Sequence, residues 1–436
     1  MGERTSLIVT AVVIGLLSSL CAVALKKGVH WSTAHANSIL FTGHRAYLVL
    51  IIPWIGIGLS VLFTRLFLNG DLGRGLPNLL KDVNQHAGVV PRHKMWSQVV
   101  TSIFSMGAGG SAGLEAPLAI TGAAVGSNVA RWFRFGYNER MLLLASGAAA
   151  GVAAIFNAPI AGTIFALELL MSANAMTLVV PVLIASASAT LLSSFIYFGQ
   201  PFVLITDSWN AAAIPYYVAL AFFGAVGSVY VIRVYNGVGA LLYKVRGPYM
   251  RAFIGSITLG GIIFFFPPLF GEGYDSVRLL LAQDAGALVL NAPLQLHLGV
   301  WNIVLLTLGL LLLKVVAASL TIHAGGNGGM FGPSLFIGAM LGFTFARTLN
   351  LLGFMELNEV NFTVVGMAAM LSGTIHVPLT AIFLIAEITG GYALFVPLMV
   401  VSSLSFFVSK YLHHDSIYGK PPVRTSTNGQ SPQPAT

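Results

Sequence analysis

The chain has 436 residues, of which 56% are hydrophobic and only 8% are charged, with a formal net charge of +8. Soluble domains carry about 25% charged residues, so this composition excludes an ordinary soluble protein and indicates an all-α integral membrane protein. The basic residues stand in short hydrophilic breaks, which is typical of membrane-protein loops and argues against a nucleic-acid partner. The single cysteine, Cys21, leaves no disulfide framework within the chain.

Apolar runs long enough to cross a bilayer, about 20 residues, recur along the whole chain. Runs without Asp, Glu, Lys or Arg cover residues 6–25, 141–167, 169–206, 315–346, 362–386 and 388–409. We therefore expect roughly ten or more membrane segments in a lipid bilayer.

The first distinctive loop is Gly73-Arg74-Gly75-Leu76-Pro77. Its glycines permit unusual backbone dihedrals, and Pro77 fits the first turn of a helix, where its missing N–H needs no partner. This pattern predicts a short helix that begins inside the membrane. Its free N–H groups and positive dipole end would face a cavity and attract an anion.

The second distinctive loop contains an isolated carboxylate. Glu115 is the only charged residue between Lys94 and Arg131, and it lies in Gly113-Leu114-Glu115-Ala116-Pro117. An ionisable group at membrane depth costs several kcal/mol, so Glu115 is a candidate functional residue. Its partner would be a proton, a counter-charge or a water-filled path.

Both halves of the chain carry a copy of this loop. Residues 109–131 and 325–347 are related by an offset of 216 (325 − 109), with nine identities among 23 positions that include Pro117/Pro333 and Arg131/Arg347. A second match at an offset of 219 (387 − 168) relates Glu168 to Glu387. We infer an internal duplication, with halves of residues 1–207 and 208–418. The sequence alone does not fix their relative orientation.

These motifs together resemble the CLC family of chloride channels and proton-coupled chloride antiporters. Gly73 to Pro77 resembles the family's GSGIP loop, Gly113 to Pro117 resembles GREGP, and Gly329-Met330-Phe331-Gly332-Pro333 resembles GxFxP. The stretch 156–162, FNAPIAG, is similar to FNAPLAG, and Ser416-Ile417-Tyr418 is similar to the region of the pore tyrosine. The matches follow the family's order from about residue 70 to 418.

The resemblance implies a fold of two inverted halves built from tilted and broken helices. It also implies a homodimer with one anion path per subunit, a location in the cell (inner) membrane, no enzymatic activity, no cofactor and no metal. Glu115 would be the gate: as a carboxylate it occupies an anion site, and chloride replaces it after protonation. The implied anion-binding residues are Gly73, Arg74, Gly75, Gly113, Leu114, Gly329, Met330, Phe331 and Tyr418, with Pro77, Pro117 and Pro333 at the helix starts.

The sequence departs from the family pattern at several positions. Leu114 stands where GREGP has Arg, and Ala116 where it has Gly. Arg74 replaces the serine of GSGIP, which leaves selectivity for chloride, fluoride or nitrate open. Leu169 stands where many proton-coupled relatives have an inner proton-transfer glutamate. Proton-coupled chloride exchange is favoured over a passive chloride channel, but the channel stays an alternative.

Other function classes fit the sequence less well. A membrane enzyme would need converging acid, base or metal groups, and no such set of residues stands out in the apolar segments. A carrier of cations or organic substrates would need more buried acceptors. The tail, residues 419–436, is rich in polar residues and is predicted to be disordered. The resemblance does not extend to nucleotide-binding (CBS) domains.

Overall fold

The computed structural model describes residues 3–40, 46–73, 75–170, 179–197, 208–290 and 299–419. Arg74, residues 198–207 just before the expected join of the halves, and tail residues 420–436 lie outside the described residues. The boundary at residue 207 and the disordered tail therefore stay predictions.

Seventeen α-helices account for most of the described residues. In the first half they are α1 (Glu3–Leu40), α2 (Ile52–Phe67), α3 (Leu76–Gln85), α4 (Lys94–Gly107), α5 (Glu115–Trp132), α6 (Tyr137–Phe156), α7 (Pro159–Leu170) and α8 (Val179–Ile196). In the second half they are α9 (Ile214–Tyr243), α10 (Pro248–Phe265), α11 (Tyr274–Leu281), α12 (Ala285–Leu290), α13 (Asn302–Ala324), α14 (Phe331–Leu351), α15 (Glu359–Ile375), α16 (Pro378–Ile388) and α17 (Phe395–Leu412).

Many of these helices are suited to a membrane. Within the described ranges, nine are long and apolar enough to cross a bilayer, and α7, α15 and α16 are shorter apolar helices. The chain is therefore an integral, multi-pass membrane protein. The apolar run 362–386 is divided between α15 and α16, because His376 takes a left-handed conformation (φ +66°) just before Pro378 begins the next helix.

Glycines let the central helices approach one another closely. A Cβ atom at Gly122 of α5 would lie 2.0 Å from the carbonyl oxygen of Gly147 of α6, and the reverse distance is also 2.0 Å. Gly338 of α14 and Gly366 of α15 approach each other in the same way, at 2.4 Å in each direction. Small residues at such crossings are typical of membrane helix pairs, where close packing replaces the hydrophobic driving force.

Contacts between the halves are reciprocal. Glu168 accepts hydrogen bonds from the backbone N–H groups of Leu379 and Thr380, while Glu387 accepts them from Ile160 and Ala161. The offset of 219 converts one set of residues into the other (160 + 219 = 379, 168 + 219 = 387). A two-fold relation requires such exchange of roles. The two acids thus cap helices α16 and α7 across the repeat interface, as acids at helix starts do.

Candidate functional site

The two glycine loops that precede α5 and α14 meet in the buried interior. Gly113 and Gly329, equivalent residues of the two repeats, form a short antiparallel bridge with N–H to carbonyl distances of 2.9 and 2.8 Å. The Ser111 backbone N–H donates to the Thr321 hydroxyl, and the Asn327 N–H donates to the Ser105 hydroxyl, which is the same contact related by the offset of 216 (111 + 216 = 327, 105 + 216 = 321). This bridge brings the starts of α5 and α14 together.

Glu115 lies at this junction and is almost fully buried, with 1% of its surface exposed. Its Oε2 accepts a hydrogen bond of 3.2 Å from the backbone N–H of Gly332, in the first turn of α14. Its Oε1 accepts one of 2.6 Å from the Tyr274 hydroxyl. A carboxylate therefore occupies the anion-attracting start of a helix from the opposite repeat, where free N–H groups and the helix dipole favour negative charge.

The proline-containing helix starts follow the sequence prediction locally. Helix α3 begins at Leu76 with Pro77 in its first turn, and Pro117 and Pro333 lie in the first turns of α5 and α14. Gly75 has φ +76°, a conformation that only glycine adopts readily.

The loop before α3 is linked to the central junction by Gln98. The Gln98 side-chain amide donates to the Leu72 carbonyl (3.0 Å), and its side-chain oxygen accepts from the Asn327 amide (2.9 Å). A Cβ atom at Gly73 would lie 2.7 Å from Lys94 Nζ, which in turn pairs with Asp82 at 2.6 Å. The buried Lys94 side chain, paired with Asp82, therefore lies against Gly73 of this loop.

The remaining residues named from the sequence surround the same centre. Leu114, Met330 and Phe331 are buried, and the Phe331 ring packs between those of Phe156 and Phe165. The Tyr418 hydroxyl is buried, and no described residue meets the distance and angle criteria for a hydrogen bond with it. It interacts with the backbone of Met330 and electrostatically with Glu115. Tyr418 thus places a buried hydroxyl near Met330 and Glu115.

Three functional candidates were missed in the sequence. Tyr274 binds the Glu115 carboxylate directly. Lys314 is a fully buried lysine of α13 that interacts electrostatically with Glu115 and with Glu272. Lys314 gave the same signal as Glu115, since it is the only Asp, Glu, Lys or Arg of its 23-residue helix. Tyr274 and Glu272 gave none, because their place beside Glu115 depends on long-range packing.

Replacing Tyr274 with phenylalanine is expected to loosen the Glu115 carboxylate. The 2.6 Å bond joins a hydroxyl to an ionised group, and such bonds contribute about 1.5–3 kcal/mol. Without this bond the Glu115 carboxylate is held less tightly at the place where it would compete with chloride. The apparent affinity for chloride at alkaline pH should therefore rise about tenfold or more. Calorimetric titration with chloride measures this. Tyr392→Phe, at an exposed tyrosine, is the control; an unchanged affinity in Tyr274→Phe would exclude a holding role for this hydroxyl.

Comparison with known proteins identifies the family. The model of the voltage-gated chloride channel family matches residues 56–410. The chain belongs to this family. A putative ClcB-like chloride channel protein of Ralstonia nicotianae is 26% identical over 424 residues, covering 93% of this chain and 94% of that protein. The voltage-gated ClC-type chloride channel ClcB of Escherichia coli is 28% identical over 326 residues, or 73% of each chain.

Two solved structures share the fold of this protein. The crystal structure of a slow cyanobacterial Cl⁻/H⁺ antiporter superposes with a TM-score of 0.79 at 23% identity, covering 94% of this chain and 96% of that one. A CLC-type fluoride/proton antiporter gives a TM-score of 0.79 at 22% identity, with coverages of 95% and 97%. The predicted all-α, CLC-like fold is confirmed.

Proposed function

We propose that this protein carries chloride across a membrane in exchange for protons, with Glu115 as the gate. The observation that carries the proposal is the Glu115 carboxylate bound to the Gly332 N–H of the opposite repeat. The same donor suits a free anion, so carboxylate and chloride compete for one place. Protonation neutralises Glu115, weakens its hold on the N–H group and lets chloride enter.

Family membership supports the anion cargo, and the site supplies what such a cargo needs. The groups that would attract an anion are backbone N–H groups, the buried Tyr418 hydroxyl and the partly compensated Lys94 and Lys314. None of these groups presents a fully ionised, uncompensated charge at the junction of α5 and α14. Attraction by several weak donors lets an ion bind and still leave, which a transport path requires.

A passive chloride channel is the second candidate, and Leu169 favours it. Its side chain is an apolar, partly buried member of α7, at the position where proton-coupled relatives often carry an acid. A route for protons through this part of the molecule would then need other groups. The homodimer, the cell (inner) membrane and the preference for chloride over fluoride or nitrate stay predictions.

Purified protein in chloride-loaded liposomes distinguishes these functions. Under an outward chloride gradient, a chloride electrode and a pH electrode are read together. Exchange predicts chloride release together with proton movement against a proton gradient. Chloride release that never drives protons uphill would identify a channel, and absence of anion release at every pH would reject anion transport. Liposomes without protein give the leak, and parallel runs with fluoride and nitrate give the selectivity.

A further inference from the structure

A tight turn beside the gate holds the buried ammonium group of Lys314. Lys314 Nζ donates to the Gly271 carbonyl oxygen and to the Ser111 hydroxyl, both at 2.9 Å. Gly271 and Gly273 have φ values of +65° and +87°, which L side chains rarely adopt, and a Cβ at Gly273 would lie 3.3 Å from Lys314 Nζ. The residue between these glycines is Glu272. The turn therefore brings a second carboxylate to the same ammonium group.

One carboxylate oxygen of Glu272 lacks a hydrogen bond in the described part of the chain. Its Oε1 is buried and has no hydrogen-bond partner among the described residues, although the residue as a whole is partly exposed. The carboxylate interacts electrostatically with Glu115 and with Lys314, and the Tyr274 hydroxyl interacts with both carboxylates. Burying an ionised carboxylate without full pairing is costly, so such a group tends to bind a proton.

The charged and titratable groups around the two carboxylates come from five parts of the structure: α1, the residue after α8, α11, α13 and the segment after α17. Glu272 faces Lys314 of α13, Lys26 of α1 and Glu115 of α5, and it also interacts with Tyr197, which follows α8. Arg278 of α11 interacts with Tyr197. Glu115 faces Lys314, Tyr274 and Tyr418. The cation Lys314 is thus shared by two carboxylates that repel each other.

We propose that Glu272 is a second proton-binding group of the transport path, coupled to Glu115 so that the ionisation of one favours protonation of the other. Two interacting carboxylates release their protons in steps that belong to the pair. When Glu115 gives up its proton, one O–H bond breaks there and one forms on Glu272. Because Glu272 is partly exposed, it links the buried gate to water.

The coupling predicts the direction of a shift in pH dependence. This inference rests on the proposed role of Glu115, so the readout is the pH at which chloride flux into liposomes is half-maximal. Glu272→Gln removes the repulsion that favours protonated Glu115 and leaves Lys314 with one carboxylate. Both changes favour the ionised, blocking gate, so the midpoint should move to lower pH by about one unit. Chloride flux itself should persist at acidic pH.

A matched control lies three residues away. Asp275→Asn removes the same charge from a side chain that is 97% exposed, where solvent screens it, and should leave the midpoint unchanged. Glu272→Asp keeps the charge, so its midpoint should lie nearer to that of the wild type than to that of Glu272→Gln. In a Glu115→Gln background, Glu272→Gln should have no further effect on pH dependence.

Separate outcomes distinguish the failure of each proposal. A midpoint for Glu272→Gln that moves no more than that of Asp275→Asn would overturn the coupling while leaving chloride transport intact. A shift that persists in the Glu115→Gln background would also overturn it. If Glu272→Gln fails to give a monodisperse protein, Glu272→Asp serves in its place. Its shorter side chain holds the carboxylate farther from Lys314 and Glu115, which predicts a small acid shift of the midpoint, and a midpoint identical to that of the wild type would contradict the coupling. Absence of chloride flux in the wild type would instead reject the function of the path.

Discussion

Chloride flux through the Glu115→Gln protein is expected to be independent of pH and, at alkaline pH, about tenfold or more above that of the wild type. Glutamine keeps the size of the side chain but cannot ionise, so it mimics the protonated gate. The wild-type carboxylate is held by the Tyr274 hydroxyl at 2.6 Å and the Gly332 N–H at 3.2 Å, and bonds to an ionised group contribute about 1.5–3 kcal/mol each. Removing the charge releases most of this hold.

Loss of proton coupling is the second part of the same expectation. Liposome flux recorded with chloride and pH electrodes should show rapid chloride release without uphill proton movement in Glu115→Gln. Glu356→Gln, at an exposed position, is the control and should behave as the wild type. Stoichiometric proton exchange by Glu115→Gln would show that another group carries the proton and that Glu115 is not the gate.

Replacing Gly113 with alanine is expected to remove the place for which the gate and the ion compete. A Cβ at Gly113 would lie 2.0 Å from Glu115 Oε2 and 2.8 Å from the Gly332 backbone nitrogen. Gly113 does not adopt a left-handed conformation, so alanine is compatible with its backbone. The methyl group must therefore expel the carboxylate and also cover the N–H donor that an anion would use.

The Gly113→Ala effect is clearest without the gate. In a Glu115→Gln background, Gly113→Ala should lower chloride affinity by about tenfold or more, since it screens a hydrogen bond to a charged group worth about 1.5–3 kcal/mol. Calorimetric chloride titration measures this, with Gly261→Ala as control because a Cβ there meets nothing within 4 Å. Equal chloride affinity in the single and double variants would mean that the anion does not bind where the carboxylate lies.

The sequence predicts those elements whose characteristic residues lie close together in the chain. The duplicated glycine loops, the starts of α5 and α14 and the single carboxylate between them are visible because charge, glycine and proline in apolar surroundings are rare. The offset of 216 also pairs Glu115 with Phe331 (115 + 216 = 331), so the loop fold does not need the acid. The reciprocal contacts of Glu168 and Glu387 follow from the same duplication.

The sequence does not predict contacts between residues that are distant in the chain. Tyr274 reaches Glu115 because the chain at residues 270–273 packs against the glycine loop before α5, where the Phe270 ring approaches Gly109. Polar residues of such turns look like ordinary solvated loop residues. The division of residues 362–386 into two helices depended on one left-handed residue, His376, which hydrophobicity does not reveal.

Anomalous diffraction from bromide-soaked crystals tests most directly whether Glu115 competes with the transported ion. In Glu115→Gln crystals we expect a bromide peak at the start of α14, within hydrogen-bond distance of the Gly332 N–H, at the position that the wild-type carboxylate occupies. Wild-type crystals at alkaline pH should lack this peak, because the ionised side chain fills the place. A Glu115→Gln crystal with bromide elsewhere in the path but none at Gly332, or a wild-type crystal with bromide and an unmoved carboxylate side by side, would contradict the competition.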